Sequence, residues 1–133
     1  MGIKVMKPGL LTTIQDSGRI GYRKDGIIVS GAMDTLALRL GNALLGNADS
    51  DAGIECTILG PTILFEADQL IVITGGDLSP VINGEAVPMW RPLNIRKGSV
   101  LSFGPAVKGC RSYITISGGF DIPEILGWSF EHG

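Results

Sequence analysis

Gln15, Asp16, Arg19, Tyr22, Ser30 and Asp34 fall within one stretch, Pro8 to Asp34, interleaved with Gly9, Gly18, Gly21, Gly26 and Gly31. Each of these polar side chains can hydrogen-bond, and the irregular glycine spacing rules out a repeat. Glycine stands where the main chain takes positive φ or lets another group come close. A loop alternating such points with Asp, Arg and Tyr suits a binding surface, or equally a set of tight turns between short strands. Asp16 and Asp34 are the candidates for general acid–base work, joined by Glu55 further along the chain. That chemistry needs carboxylates converging in a cleft with shifted pKa values. Each has an alternative: Asp16 beside Gly18 suits an Asx-turn, and Asp34 suits a helix cap. Arg19, between Gly18 and Gly21, is either a surface charge or a fork that clamps a carboxylate through two hydrogen bonds.

Other chemistries find little support. The single histidine, His132, stands one residue from the end, poorly placed to serve a nucleophile. Cys56 alternates with Glu55 and Thr57 and reads as a buried structural thiol rather than a nucleophile. Cys56 and Cys110 lack the paired spacing of a metal cluster or a disulfide framework. There is no GxxxxGK[ST] phosphate loop.

The elements that must position these residues are mostly strands. Ile3 and Val5 alternate around Lys4 ahead of a Pro8-Gly9 turn, and Leu11 to Gln15 alternates again. Gly26 to Val29 reads as a further short extended piece. From Met33 the period changes: Met33, Leu36, Ala37, Leu40 and Leu44 make an apolar helical stripe. This predicts one helix over about residues 33–45, capped by Ser30 or Asp34 and stopped at Gly46-Asn47. Beyond it, strands are expected at 54–58, 62–65, 70–74, 93–95, 100–103 and 113–117. A hairpin is expected at 81–87, where Asn83-Gly84 suits a type I′ turn. Nine or ten short strands with one helix give a mainly β, closed or nearly closed barrel.

The chain of 133 residues fits one domain, and its net charge of −2, from 11 basic and 13 acidic residues without runs, offers no nucleic-acid footprint. Hydrophobic residues make up 44% and mean hydropathy is +0.31, an apolar excess that points to a covered face. No uninterrupted apolar run approaches the ~18 residues of a spanning helix. The first residues match neither a secretion signal nor a myristoylation site, so a cytoplasmic setting is expected.

The ordered blocks also carry a family resemblance. Pro8-Gly9, Thr12-Thr13, Gln15-Asp16, Gly18-Arg19 and Gly21-Tyr22 are similar to the opening of the PxpC family, the C-type subunits of 5-oxoprolinase. That family is also known as KipA, allophanate hydrolase subunit 2 or biotin-dependent carboxyltransferase-like. Ser30-Gly31-Ala32-Met33-Asp34, Asn42 and Leu45-Gly46-Asn47 resemble its next blocks, and Glu55, Thr57 and Gly60-Pro61 the block after. Asn83-Gly84, Trp90, Gly98, Gly118-Gly119, Pro123 and Leu126-Gly127 fit later positions. The resemblance implies a cyclophilin-like β-barrel over residues 1–127, the N-terminal barrel of the family. On this resemblance residues 128–133 fall outside the match, and the family's second barrel is expected to be absent. It implies substrate-binding roles for Gln15, Arg19, Tyr22, Ser30, Asp34, Asn47 and Glu55, with the catalytic residues unassigned. It implies work in a complex that opens 5-oxoproline to glutamate, with ATP used by the complex and no metal indicated. The partners implied are KipI-like and LamB/YcsF-like subunits, and a homo-oligomer is a further alternative. Two other functions stay open. One is a KipA-type protein that antagonises a KipI-like inhibitor of a sporulation kinase; the other is a urea carboxylase or allophanate hydrolase component. The isolated chain is expected to be inactive.

Overall fold

The computed structural model describes residues 3–7, 9, 11–16, 23–24, 27–31, 35–48 and 51–118. Strands β1 (Ile3–Lys7), β2 (Leu11–Asp16), β3 (Arg23–Lys24) and β4 (Ile27–Gly31) lead into helix α1 (Thr35–Leu45). Then come β5 (Gly53–Thr57), β6 (Thr62–Phe65), β7 (Gln69–Asp77), β8 (Pro80–Ile82) and β9 (Glu85–Ala86). The last described strands are β10 (Leu93–Ile95), β11 (Val100–Phe103) and β12 (Lys108–Ile116). This is the mainly β fold with one principal helix that the sequence predicts.

The strands form a five-stranded sheet, β1-β6-β11-β8-β9, and a seven-stranded sheet, β10-β7-β12-β5-β2-β4-β3. Among the described residues the strand pairs are antiparallel except β2 with β4, which run parallel. The two sheets enclose one apolar interior. Ile3, Ile63, Phe65 and Leu101 from the smaller sheet meet Ile54, Ile71, Ile73 and Ile114 from the larger. Along β6 burial alternates, as a strand with one covered face requires. Along β5 every residue is buried, and so are the last five of β12. Both faces of the seven-stranded sheet are therefore covered at its centre.

Helix α1 covers part of the outer face. It packs on β7 and β12, and Gly41 lets it sit close. A Cβ at Gly41 would lie 2.7 Å from Thr115 Oγ1, nearer than packing allows. The helix ends as expected: Gly46 takes φ of 73°, and the Asn47 N–H donates to the Asn42 carbonyl at 2.8 Å. With Gly46 N–H donating to the Ala43 carbonyl, this closes a Schellman turn. The buried face, however, differs from the expected stripe. Ala37, Leu38, Gly41 and Asn42 are buried, whereas Leu36, Leu40 and Leu44 are 62%, 41% and 44% exposed. Apolar residues cover more of this helix than one face can bury, and the close approach through Ala37 and Gly41 decides which part turns inward. The expected start at Met33 and the expected cap Asp34 lie outside the described residues, whereas Ser30, the other expected cap, stands in β4, ahead of the helix's first described residue Thr35.

The Asn83-Gly84 hairpin forms between β8 and β9. Both turn residues have positive φ, 52° and 85°, as a type I′ turn demands. Asn83 Oδ1 also accepts from the Val100 N–H at 2.9 Å, tying the turn to β11.

Candidate functional site

Glu55 occupies the middle of β5, opposite Thr13 of β2 on one side and Tyr113 of β12 on the other. Facing residues of paired strands project to the same side of a sheet. The Tyr113 hydroxyl donates to Glu55 Oε2 across 58 residues of sequence. Both residues are buried, Tyr113 completely. A carboxylate removed from water is tolerated only when hydrogen-bonded, and Tyr113 supplies such a bond. Tyr113 also packs on Ala37 and Leu38 of α1. Across the next strand it faces Thr74, whose Oγ1 donates to the Ala37 carbonyl at 2.8 Å. A polar row thus runs from the helix main chain through Thr74 and Tyr113 to Glu55.

The register carries this row toward the strands of the glycine-rich stretch. Gln15, two residues from Thr13, faces Ser30 in the parallel β2–β4 pairing. Gln15 and Ser30 therefore share the register parity of Glu55, whereas Asp16, facing Gly31, has the opposite parity. The seven-stranded sheet brings Gln15, Ser30 and Glu55 to one face. Arg19, Tyr22 and Asp34 lie outside the described residues.

Asn47 holds protein groups. Its Nδ2 donates to Asn42 Oδ1 at 3.0 Å and to the Ile116 carbonyl at 2.7 Å, and its Oδ1 accepts from the Gly118 N–H at 2.9 Å. Asn42, fully buried, donates in turn to the Asp51 carbonyl at 2.8 Å. These two amides staple the helix exit to the end of β12.

Burial pushes the Cys56 thiol far above its ordinary value, and the adjacent Glu55 carboxylate pushes it the same way. It stays protonated near neutrality and is a poor nucleophile there. Among the described residues, no three His, Cys, Asp or Glu side chains gather as a metal-binding group. Nor is any described helix long and apolar enough to cross a membrane.

Sequence reasoning missed Tyr113 and Thr74. Both stand on apolar, β-branched runs, and nothing local joins either of them to Glu55.

The model for the carboxyltransferase domain, subdomain A and B, matches residues 25–129. This chain belongs to the carboxyltransferase domain family. It is 41% identical over 126 residues to urea amidolyase of Saccharomyces cerevisiae, covering 94% of this chain and 7% of that relative. It is 36% identical over 126 residues to the C-type 5-oxoprolinase subunit of Escherichia coli, covering 94% of this chain and 40% of the relative. The carboxyltransferase fold is matched as well. The crystal structure of Kluyveromyces lactis urea carboxylase superposes with a TM-score of 0.79 at 35% identity, over 90% of this chain and 11% of that one. The chain thus spans well under half the length of these relatives.

Proposed function

We propose that this carboxyltransferase-type barrel serves as part of the C-type subunit of an ATP-dependent 5-oxoprolinase. It contributes one wall of a site shared with two partner subunits, of LamB/YcsF-like and KipI-like type, in the cytoplasm. The observation that carries the proposal is the register of the seven-stranded sheet, which brings Gln15 and Ser30 to the face that holds Glu55. A carboxylate, an amide and a hydroxyl at register positions on one face of a sheet suit a small polar amide, whose N–H a carboxylate accepts. The 36% identity with a 5-oxoprolinase subunit, over nearly the whole chain, supports the same substrate class.

In this scheme Arg19 clamps the substrate carboxylate, and Gln15, Tyr22, Ser30 and Glu55 fix the lactam. Asp16 and Asp34 are the acid–base candidates, Asn47 holds the helix exit, and ATP is consumed by the complex. The test is a 5-oxoproline-dependent ATPase assay with the full-length protein and its partners. Arg19→Ala lowers turnover by at least about tenfold, ~1.4 kcal/mol of transition-state stabilisation, without shifting the melting transition. Full turnover in a stable variant removes Arg19 from the site.

The 41% identity with a urea amidolyase favours a second reading, in which the substrate is urea. Urea-dependent ATP turnover in the same mixture, with none on 5-oxoproline, would select it.

A further inference from the structure

A groove of about 720 Å³ opens where the segment Val87–Trp90 splays away from the end of β7. Strand β10 covers β7 only over Gln69–Ile71, and Trp90 follows the same edge by donating its N–H to the Ile73 carbonyl at 2.8 Å. Beyond that bond the two segments part. Three of the groove's lining residues, Gly75, Gly76 and Gly109, carry no side chain, so that wall is main chain. Opposite stand Val87, Pro88 and Met89, with Val87 and Met89 packed on the barrel core.

Two further features single the groove out. Trp90 has φ of 63°, a left-handed conformation that is costly for a bulky residue. It is nevertheless 45% exposed beside the opening. Strain of this kind collects where a residue is held for a ligand. Lys108 brings a cation to the rim, exposed and facing Asp77 across the strands, and one Asp77 oxygen already accepts from the Ser79 N–H at 2.8 Å. The groove also touches the polar row. A Cβ at Gly75 would lie 3.1 Å from Cδ1 of Tyr113, the residue that holds Glu55.

We infer that the groove between Trp90 and Gly75–Asp77 is a second subsite for a small amide-bearing acid, separate from the face that carries Gln15, Ser30 and Glu55. Main chain is complementary to an amide, which offers one donor and one acceptor. Trp90 and Met89 cover the apolar body, and Lys108 takes the carboxylate. The volume is that of an ordinary small-molecule site. The choice of ligand rests on the proposed substrate class; the site itself rests on the geometry.

The test titrates the full 133-residue chain with 5-oxoproline while following tryptophan fluorescence. Pyrrolidinone, which lacks the carboxylate, and proline, which lacks the lactam carbonyl, serve as controls. The expected result is a saturable change that is absent in Trp90→Phe. Lys108→Gln weakens binding by about tenfold or more, and both controls bind weaker by a similar factor. Should Trp90→Phe fail to fold, the exposed Lys108→Gln variant and the two controls still decide the matter. The inference is overturned by no saturable change up to about 10 mM ligand, by equal affinity in Lys108→Gln, or by proline binding as tightly as 5-oxoproline. Activity separates the two proposals. A complex that turns over 5-oxoproline with no binding in this groove retires the groove alone. Binding here without turnover by any complex retires the function alone.

Discussion

Replacing Tyr113 by Phe removes one hydroxyl from the interior and leaves the ring in place on Ala37 and Leu38. The lost bond is the one the hydroxyl donates to the buried Glu55 carboxylate. Hydrogen bonds to charged groups contribute about 1.5–3 kcal/mol, and losing this one at a buried carboxylate forfeits most of that. The expected destabilisation is about 2 kcal/mol. At ~2.1 cal/mol/K per residue, 133 residues have an unfolding entropy near 0.28 kcal/mol/K, so the melting temperature falls by about 7 °C. Glu55→Leu, alone and combined with Tyr113→Phe, completes a double-mutant cycle in urea. The double variant has no unmatched end of the Tyr113–Glu55 bond, so it is more stable than the summed single effects imply, by at least about 1 kcal/mol. A Tyr113→Phe change within about 0.5 kcal/mol of the parent, with no coupling to Glu55, would falsify the polar row as a structural unit.

The helix and the thiols offer sharper local tests. Leu38→Ala, at a fully buried position, costs about 2–5 kcal/mol, whereas Leu40→Ala, at a position 41% exposed, costs under about 1; equal losses in urea melts would contradict the observed face of α1. Cys110 is exposed and Cys56 buried, so a disulfide reagent titrates one thiol in the native chain and the second only on unfolding; two fast thiols would refute this. Cys56 also carries a pH signature. Its folded value is raised above the ordinary 9.0, so above about pH 9 the unfolded chain releases a proton that the folded chain keeps. Its contribution is complete below that pH and is lost as pH rises, at up to about 1.4 kcal/mol per unit. Cys56→Ala flattens the alkaline slope by that amount, and an unchanged slope would show the thiol ionising in the folded state.

Much of the fold was legible because its signals are local. Asn83-Gly84 specifies its own turn, Gly46 its own left-handed φ, and the alternation along β6 its one covered face. The helix showed where local signals stop. Its period was readable, yet Leu36, Ala37, Leu38, Leu40 and Leu44 spread apolar surface over a wider arc than the sheet covers. The inward face follows from how closely the sheet lets it approach, through Gly41 against Thr115. Summed hydrophobicity favours the stripe through Leu36, Leu40 and Leu44; steric fit at Gly41 selects the face that carries Ala37 and Leu38.

The site was legible in its residue types but not in its assembly. Glu55 stood out as a carboxylate, but alternation with Cys56 normally means one face toward water. Here the seven-stranded sheet is covered on both sides at its centre, so the outward residue is buried too. That burial is what calls for Tyr113, and only the β5–β12 register supplies it. The same register passes through β2 to bring Ser30 opposite Gln15, and through β7 to set Gly75 against the Tyr113 ring. A shift of one residue between β5 and β12 would turn Glu55 toward the apolar interior and Cys56 toward the helix side, because strand faces alternate with period two. The polar row therefore depends on the sheet holding its register, and the sheet's centre is held by the apolar contacts on its inner face. Mutations there that loosen pairing without unfolding the chain should weaken Glu55-dependent and Trp90-dependent properties together, although neither residue is touched.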